Sequence, residues 1–178
     1  AAWAPDARSG AAAEKVVAPT VGRTPLHAIG QARIGLPAPD LHALVFEGGH
    51  FEIPAAEVPA FPAGFTLMAK LAYQKELTPA RLFDKMTAGG SDGYIFDTHP
   101  GDALRLIVGD ATLHAPSVLQ AGAWQHVAAT YEAKTRRLAL YLNGKLVKES
   151  PAGPGDPAPP SRVTQAYILQ RWIAACAS

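Results

Sequence analysis

Cysteine is almost absent from this 178-residue chain: Cys176 is the only one. A lone thiol excludes an internal disulfide framework and any all-cysteine metal site. Charge is scarce as well. Charged residues make up 17% of the sequence, and 16 Lys and Arg against 15 Asp and Glu leave a formal net charge of +1. No basic block forms the electrostatic stripe that a phosphate backbone requires, so nucleic acid is not an expected partner. Long apolar runs are missing too. The apolar stretches are broken by Pro, Gly or charge well short of the roughly 20 residues a membrane helix needs, and no membrane span is expected.

Other absences concern chemistry. The six histidines (His27, His42, His50, His99, His114, His126) include no His-x-His or His-x-x-x-His pair that would suggest zinc. Retaining glycoside hydrolysis needs two carboxylates about 5–5.5 Å apart, an i, i+2 pair on one strand, and no strand candidate carries one. The start, Ala1-Ala2-Trp3-Ala4-Pro5, lacks a basic n-region and an apolar h-region. Either no export signal existed or one has been cut away; a mature exported chain would begin this way, and an extracytoplasmic location is the expectation.

What is present is a globular composition, 48% apolar, in a length that suits one main domain. Residues 1–22 read as an Ala- and Pro-rich terminal arm. From there to residue 150 the pattern is of short strands punctuated by Gly and Pro. Ala43-Leu44-Val45-Phe46 and Phe51-Glu52-Ile53 read as two strands around a tight Gly48-Gly49 turn. Phe65, Leu67, Ala69, Leu71 and Tyr73 share one face of the longest strand candidate by the two-residue period. Candidates follow over 81–86, 94–97, 103–108, 124–131 and 137–142, with Asn143-Gly144 the strongest hairpin signal and Lys145–Glu149 the returning strand. Residues 151–162 read as a Pro-rich linker. In the final segment, 163–178, Tyr167, Ile168, Arg171, Trp172 and Ala175 are spaced as on a short C-terminal helix.

Two of these segments carry a family resemblance. Gly122-Ala123-Trp124-Gln125-His126-Val127-Ala128-Ala129-Thr130-Tyr131, followed by Leu138-Ala139-Leu140-Tyr141-Leu142-Asn143-Gly144-Lys145-Leu146-Val147, closely resembles the paired strands of laminin-G-like jelly-roll domains in the concanavalin A-like lectin/glucanase superfamily. Residues 44–54, 65–69 and 82–85 are similar to that family's earlier strands. The resemblance implies an all-β fold, a two-sheet antiparallel jelly-roll β-sandwich. The family's usual closing strand, with its Ile-Asp-Glu-hydrophobic pattern, has no counterpart here, where the Pro-rich stretch and the expected helix stand. Residues 167–176 also resemble the opening helix of helical catalytic domains in large polysaccharide-degrading proteins, which implies an N-terminal accessory module. Such domains belong to secreted or surface proteins, bind glycans or other proteins, and often hold calcium.

The leading expectation is therefore a non-catalytic carbohydrate-binding module that takes a glycan or polysaccharide. A domain that docks on a neighbouring catalytic domain, and an enzyme on the same fold, stand as alternatives. Binding is expected through the loop around 89–102 or the concave sheet face. Asp92, Tyr94, Asp97 and His99 form the richest polar cluster, and Asp92 and Asp97 are the expected calcium ligands, since calcium takes 6–8 oxygens at about 2.3–2.6 Å. Solvated turn chemistry is the competing reading of the same residues. Trp124 reads as a core residue before a sugar platform, and Tyr131 and Tyr141 share its ambiguity. His126 is expected to bond a neighbouring loop.

Overall fold

The computed structural model describes residues 16–17, 24–38, 41–54, 57–58, 61–72, 79–151 and 166–168. The strands are β1 (Val16–Val17), β2 (Leu26–Ala38), β3 (Leu41–Ile53), β4 (Gly64–Leu71), β5 (Arg81–Lys85), β6 (Tyr94–Asp97), β7 (Leu104–Val108), β8 (Ala111–Ala115), β9 (Gln125–Glu132), β10 (Arg137–Leu142), β11 (Lys145–Pro151) and β12 (Ala166–Ile168). They form an antiparallel sandwich of two sheets. The eight-stranded sheet runs β1-β2-β3-β12-β5-β6-β7-β8 and the four-stranded sheet runs β11-β10-β9-β4.

Alternation sets the layers. In β4, Phe65, Leu67, Ala69 and Leu71 are buried while Thr66, Met68 and Lys70 are exposed, the period of a strand with one face on a core. Phe65 joins the two sheets: its ring lies 4.6 Å from that of Tyr94 in β6 and 5.6 Å from that of Tyr131 in β9. Phe51 and Phe96 are fully buried on the eight-stranded side. The Asn143-Gly144 hairpin forms as expected, with φ of 51° and 78°, the positive pair that a primed two-residue turn demands. Asn143 also accepts a hydrogen bond through Oδ1 from the His126 backbone N–H at 2.9 Å. The expected bond from His126 to a loop is thus made by its backbone, and the residue itself is exposed.

Two expectations are corrected. Gly48-Gly49 is not a turn between two strands but lies within the continuous β3, paired with β2. The glycines serve close approach: Gly48 has φ 111°, and a Cβ on Gly49 would meet the Ile29 carbonyl oxygen at 2.3 Å. The second correction concerns the C-terminal helix. Ala166–Ile168 form a strand that fills the gap between β3 and β5, with Ala166 opposite Ile53, Ile168 opposite Phe51, and Tyr167 opposite both Glu52 and Asp84. Two strand edges without partners offer these residues ladder hydrogen bonds on both sides, and that outweighs helical spacing. The closing strand therefore comes from the C-terminal segment. The other residues of 163–178 lie outside the described residues, as do most of the arm and the linker. β1 falls within the segment read as the arm.

Candidate functional site

The polar loop before and after β6 turns inward on itself. Asp92 accepts hydrogen bonds from the Thr87 backbone N–H at 2.8 Å and the Thr87 hydroxyl at 2.6 Å. These bonds hold its carboxyl below the usual carboxylate range. Gly93 permits the next step of the chain, because a Cβ there would meet the Lys85 carbonyl oxygen at 1.6 Å. Tyr94 points into the core against Phe65, and burial, followed by the nearby Asp84 charge, pushes its phenol up to about 12. His99 is exposed and precedes a cis Pro100.

Asp97 is 4% exposed and receives Arg105 on both oxygens, Nε on Oδ1 at 3.0 Å and Nη2 on Oδ2 at 2.6 Å. The His99 backbone N–H donates to Oδ1 as well, at 3.3 Å. Asp92 precedes β6 and Asp97 ends it. At about 3.3 Å per residue the two stand on the order of 15 Å apart. The structure does not bring them together, and among the described residues no three His, Cys, Asp or Glu side chains gather where they could hold a metal ion. This donor set does not fit a calcium ion.

A second buried carboxylate, Asp84 at 5% exposure, pairs with the Arg81 guanidinium and accepts the Met86 backbone N–H at 3.1 Å. Asp84 lies opposite Ile95, two residues before Asp97, so the two acids are diagonal cross-strand neighbours about 7–8 Å apart. Both have their oxygens committed to arginine and backbone. The row Arg81–Asp97–Arg105–His114 crosses β5 to β8 in register. Within it the Asp97–Arg105 ion pair ties β6 to β7, and Arg81 turns to Asp84 of its own strand.

An open cleft of about 380 Å³ lies between Phe46, Gly48, Gly49 and His50 of β3 and Pro79, Ala80 and Arg81 at the start of β5. Its ionisable side chains are already partnered: His50 Nε2 is 3.8 Å from Glu52 Oε2, and Arg81 holds Asp84.

The outer face of the four-stranded sheet is different. Register aligns Met68 of β4, Ala128 of β9, Tyr141 of β10 and Leu146 of β11 in one row. Met68 is 55% and Leu146 49% exposed, and Tyr141 is half-buried. Ala128 and Ala139, buried but outside the inter-sheet core, floor the row between larger neighbours. Trp124, expected in the core, is half-buried just before β9, and the Lys70 ammonium sits 5.9 Å from its ring centroid. Thr66 pairs with Thr130 and Lys70 with His126 on either side of the row. Together they make an apolar strip with a polar rim on the outer face of the sheet. The sequence singled out Trp124 and Tyr141 as core or platform but not Met68, Ala128 and Leu146, whose place in the row comes only from register; the alternation of β4, which leaves Met68 outside, was the available signal.

Residues 47–171 match the laminin-G family described as the Concanavalin A-like lectin/glucanases superfamily. Among solved structures, the CBM40 of the Ruminococcus gnavus IT-sialidase bound to alpha2,3 sialyllactose is similar to 80% of this chain and 76% of its own, with a TM-score of 0.53 at 15% identity. The same module bound to alpha2,6 sialyllactose covers 60% of this chain and 63% of its own, with a TM-score of 0.44 at 12% identity. No curated protein sequence matches the chain. The family match spans well over half of the sequence, and the antiparallel two-sheet sandwich agrees with it: the chain belongs to the laminin-G-type family of the concanavalin A-like lectin/glucanase superfamily.

Proposed function

We propose that this chain is a non-catalytic carbohydrate-binding module of an exported, polysaccharide-active protein, and that the glycan lies on the outer face of its four-stranded sheet. The observation that carries the reading is the outward-facing row Met68–Ala128–Tyr141–Leu146, with Trp124 further along the same face. A pyranose presents a patch of C–H groups on one side and hydroxyls around its edge. The first packs on an aromatic face, and the second bond to hydroxyl and imidazole groups such as those of Thr66, Thr130 and His126.

The similar fold of the Ruminococcus gnavus module, described bound to alpha2,3 sialyllactose, supports a glycan as the ligand class. The non-catalytic role is supported by Asp84 and Asp97. They are buried carboxylates whose oxygens are taken by arginine and backbone, where a glycosidase would present one acid and one base to its substrate.

The test is an affinity gel and a glycan array spanning plant, algal and bacterial polysaccharides. Retardation by at least one of them, weakened by Tyr141→Ala at unchanged melting temperature, is the expected result. Clean absence across the array contradicts the reading.

A further inference from the structure

We infer that the glycan taken by this face is acidic, an inference that rests on the glycan-binding reading and adds the ligand's charge to it. The face is polarised along its strands. At the Trp124 end, Lys70 of β4 and His126 of β9 are cross-strand partners, both exposed. β4 and β10 contain no carboxylate at all. The acids of β9 and β11, Glu132 and Glu149, belong to the opposite end: Glu132 pairs with Gly64 and Arg137, and Glu149 is bound by Arg137 at 2.5 Å. Glu132 is six positions from His126, about 20 Å along β9. The Lys70 end therefore has no neutralising acid among the described residues of its own sheet.

The position of Lys70 matters as much as its sign. Its ammonium is held over the Trp124 ring, 5.9 Å from the centroid, at the point where aromatic platform and positive charge meet. A uronic acid or another carboxylated sugar answers both features, offering C–H groups to the ring and an anion to the amine. A neutral pyranose uses the ring alone, and a cationic one is repelled. From Ala128, in the Tyr141 row, to Trp124 is four positions, about 13 Å along β9. An oligosaccharide, not a single sugar, spans that length.

The experiment titrates the full chain with oligomers of galacturonate, alginate and hyaluronate, each beside its carboxyl-reduced counterpart. Exposed ion pairs are individually weak, so the expected preference for the acidic member of at least one pair is about three- to tenfold. It should vanish in about 0.5 M NaCl, where charges are screened within a few ångströms. It should also shrink in Lys70→Gln, where the acidic partner loses more affinity than the reduced one. Equal binding of acidic and reduced partners, both lost in Tyr141→Ala, overturns the charge inference and leaves the platform standing. Retention of neutral array glycans with no binding of any acidic oligomer overturns it too. No binding to either set fails the glycan reading itself.

Discussion

Asp97 and Arg105 face each other across β6 and β7 in a two-pronged contact, Nε to Oδ1 at 3.0 Å and Nη2 to Oδ2 at 2.6 Å, with the acid almost fully buried. The two members are unequal. Arg105 keeps a quarter of its side chain in solvent and Asp97 only 5%, so removing the arginine strands a buried anion, while removing the acid leaves a cation that can turn to water. Arg105→Met should cost about 3 kcal/mol and Asp97→Asn less, with part of the loss recovered in the double variant. Urea unfolding of the three variants checks the order.

The same contact removes Asp97 from metal binding. The melting temperature should be equal in calcium and in a chelator, since only a ligand bound to the folded state raises it. A rise with calcium that Asp92→Ala or Asp97→Asn abolishes would show that these acids hold the ion after all.

Gly93 stands where a side chain has no room: a Cβ there would lie 1.6 Å from the Lys85 carbonyl oxygen. Gly93→Ala should lower stability by about 2–3 kcal/mol, because backbone of the β5–β6 connection must shift to admit the methyl. Gly89→Ala serves as the contrast: nothing lies within 4 Å, and only its φ of 75° opposes the change. Urea unfolding of the two variants measures the difference.

Alkaline stability should depend on Tyr94. Its phenol is pushed from 10.0 to about 12 in the folded chain. A raised acid favours the folded state while neutral, so the stabilisation is whole below pH 10 and declines from there towards pH 12, as only the unfolded chain ionises. Tyr94→Phe should flatten the decline in that window. Lys85, its cross-strand partner, has its pKa lowered by desolvation and works the other way, since losing its proton relieves the folded state. It is present in both proteins and cancels in the comparison.

Features resting on local pattern were legible in the sequence. The two-residue period of Phe65–Leu71 gave β4 its faces, and Asn143-Gly144 gave the hairpin its turn. Features resting on partners distant in sequence were not. Gly48-Gly49 is a turn by composition, yet contact with β2 keeps it in a strand. Ala166–Ile168 are spaced as a helix, yet the gap between β3 and β5 takes them as strand β12. The loop residues Asp92, Tyr94 and Asp97 have the composition of a ligand site, but Thr87, the core and Arg105 claim them one by one. The outer face was legible only in part: Trp124 and Tyr141 stood out as aromatics of ambiguous burial, while Met68, Ala128 and Leu146 join Tyr141 in a row only through register.

The most direct test of the account compares affinity-gel retardation of the unaltered chain, Tyr141→Ala and Asp92→Ala on a polysaccharide the chain binds, with melting temperatures as the control for folding. Tyr141→Ala should bind roughly tenfold more weakly, the scale of a lost aromatic contact, and Asp92→Ala should bind as the unaltered chain does. Full retardation of Tyr141→Ala together with loss in Asp92→Ala would contradict the account and return the site to the loop around 89–102.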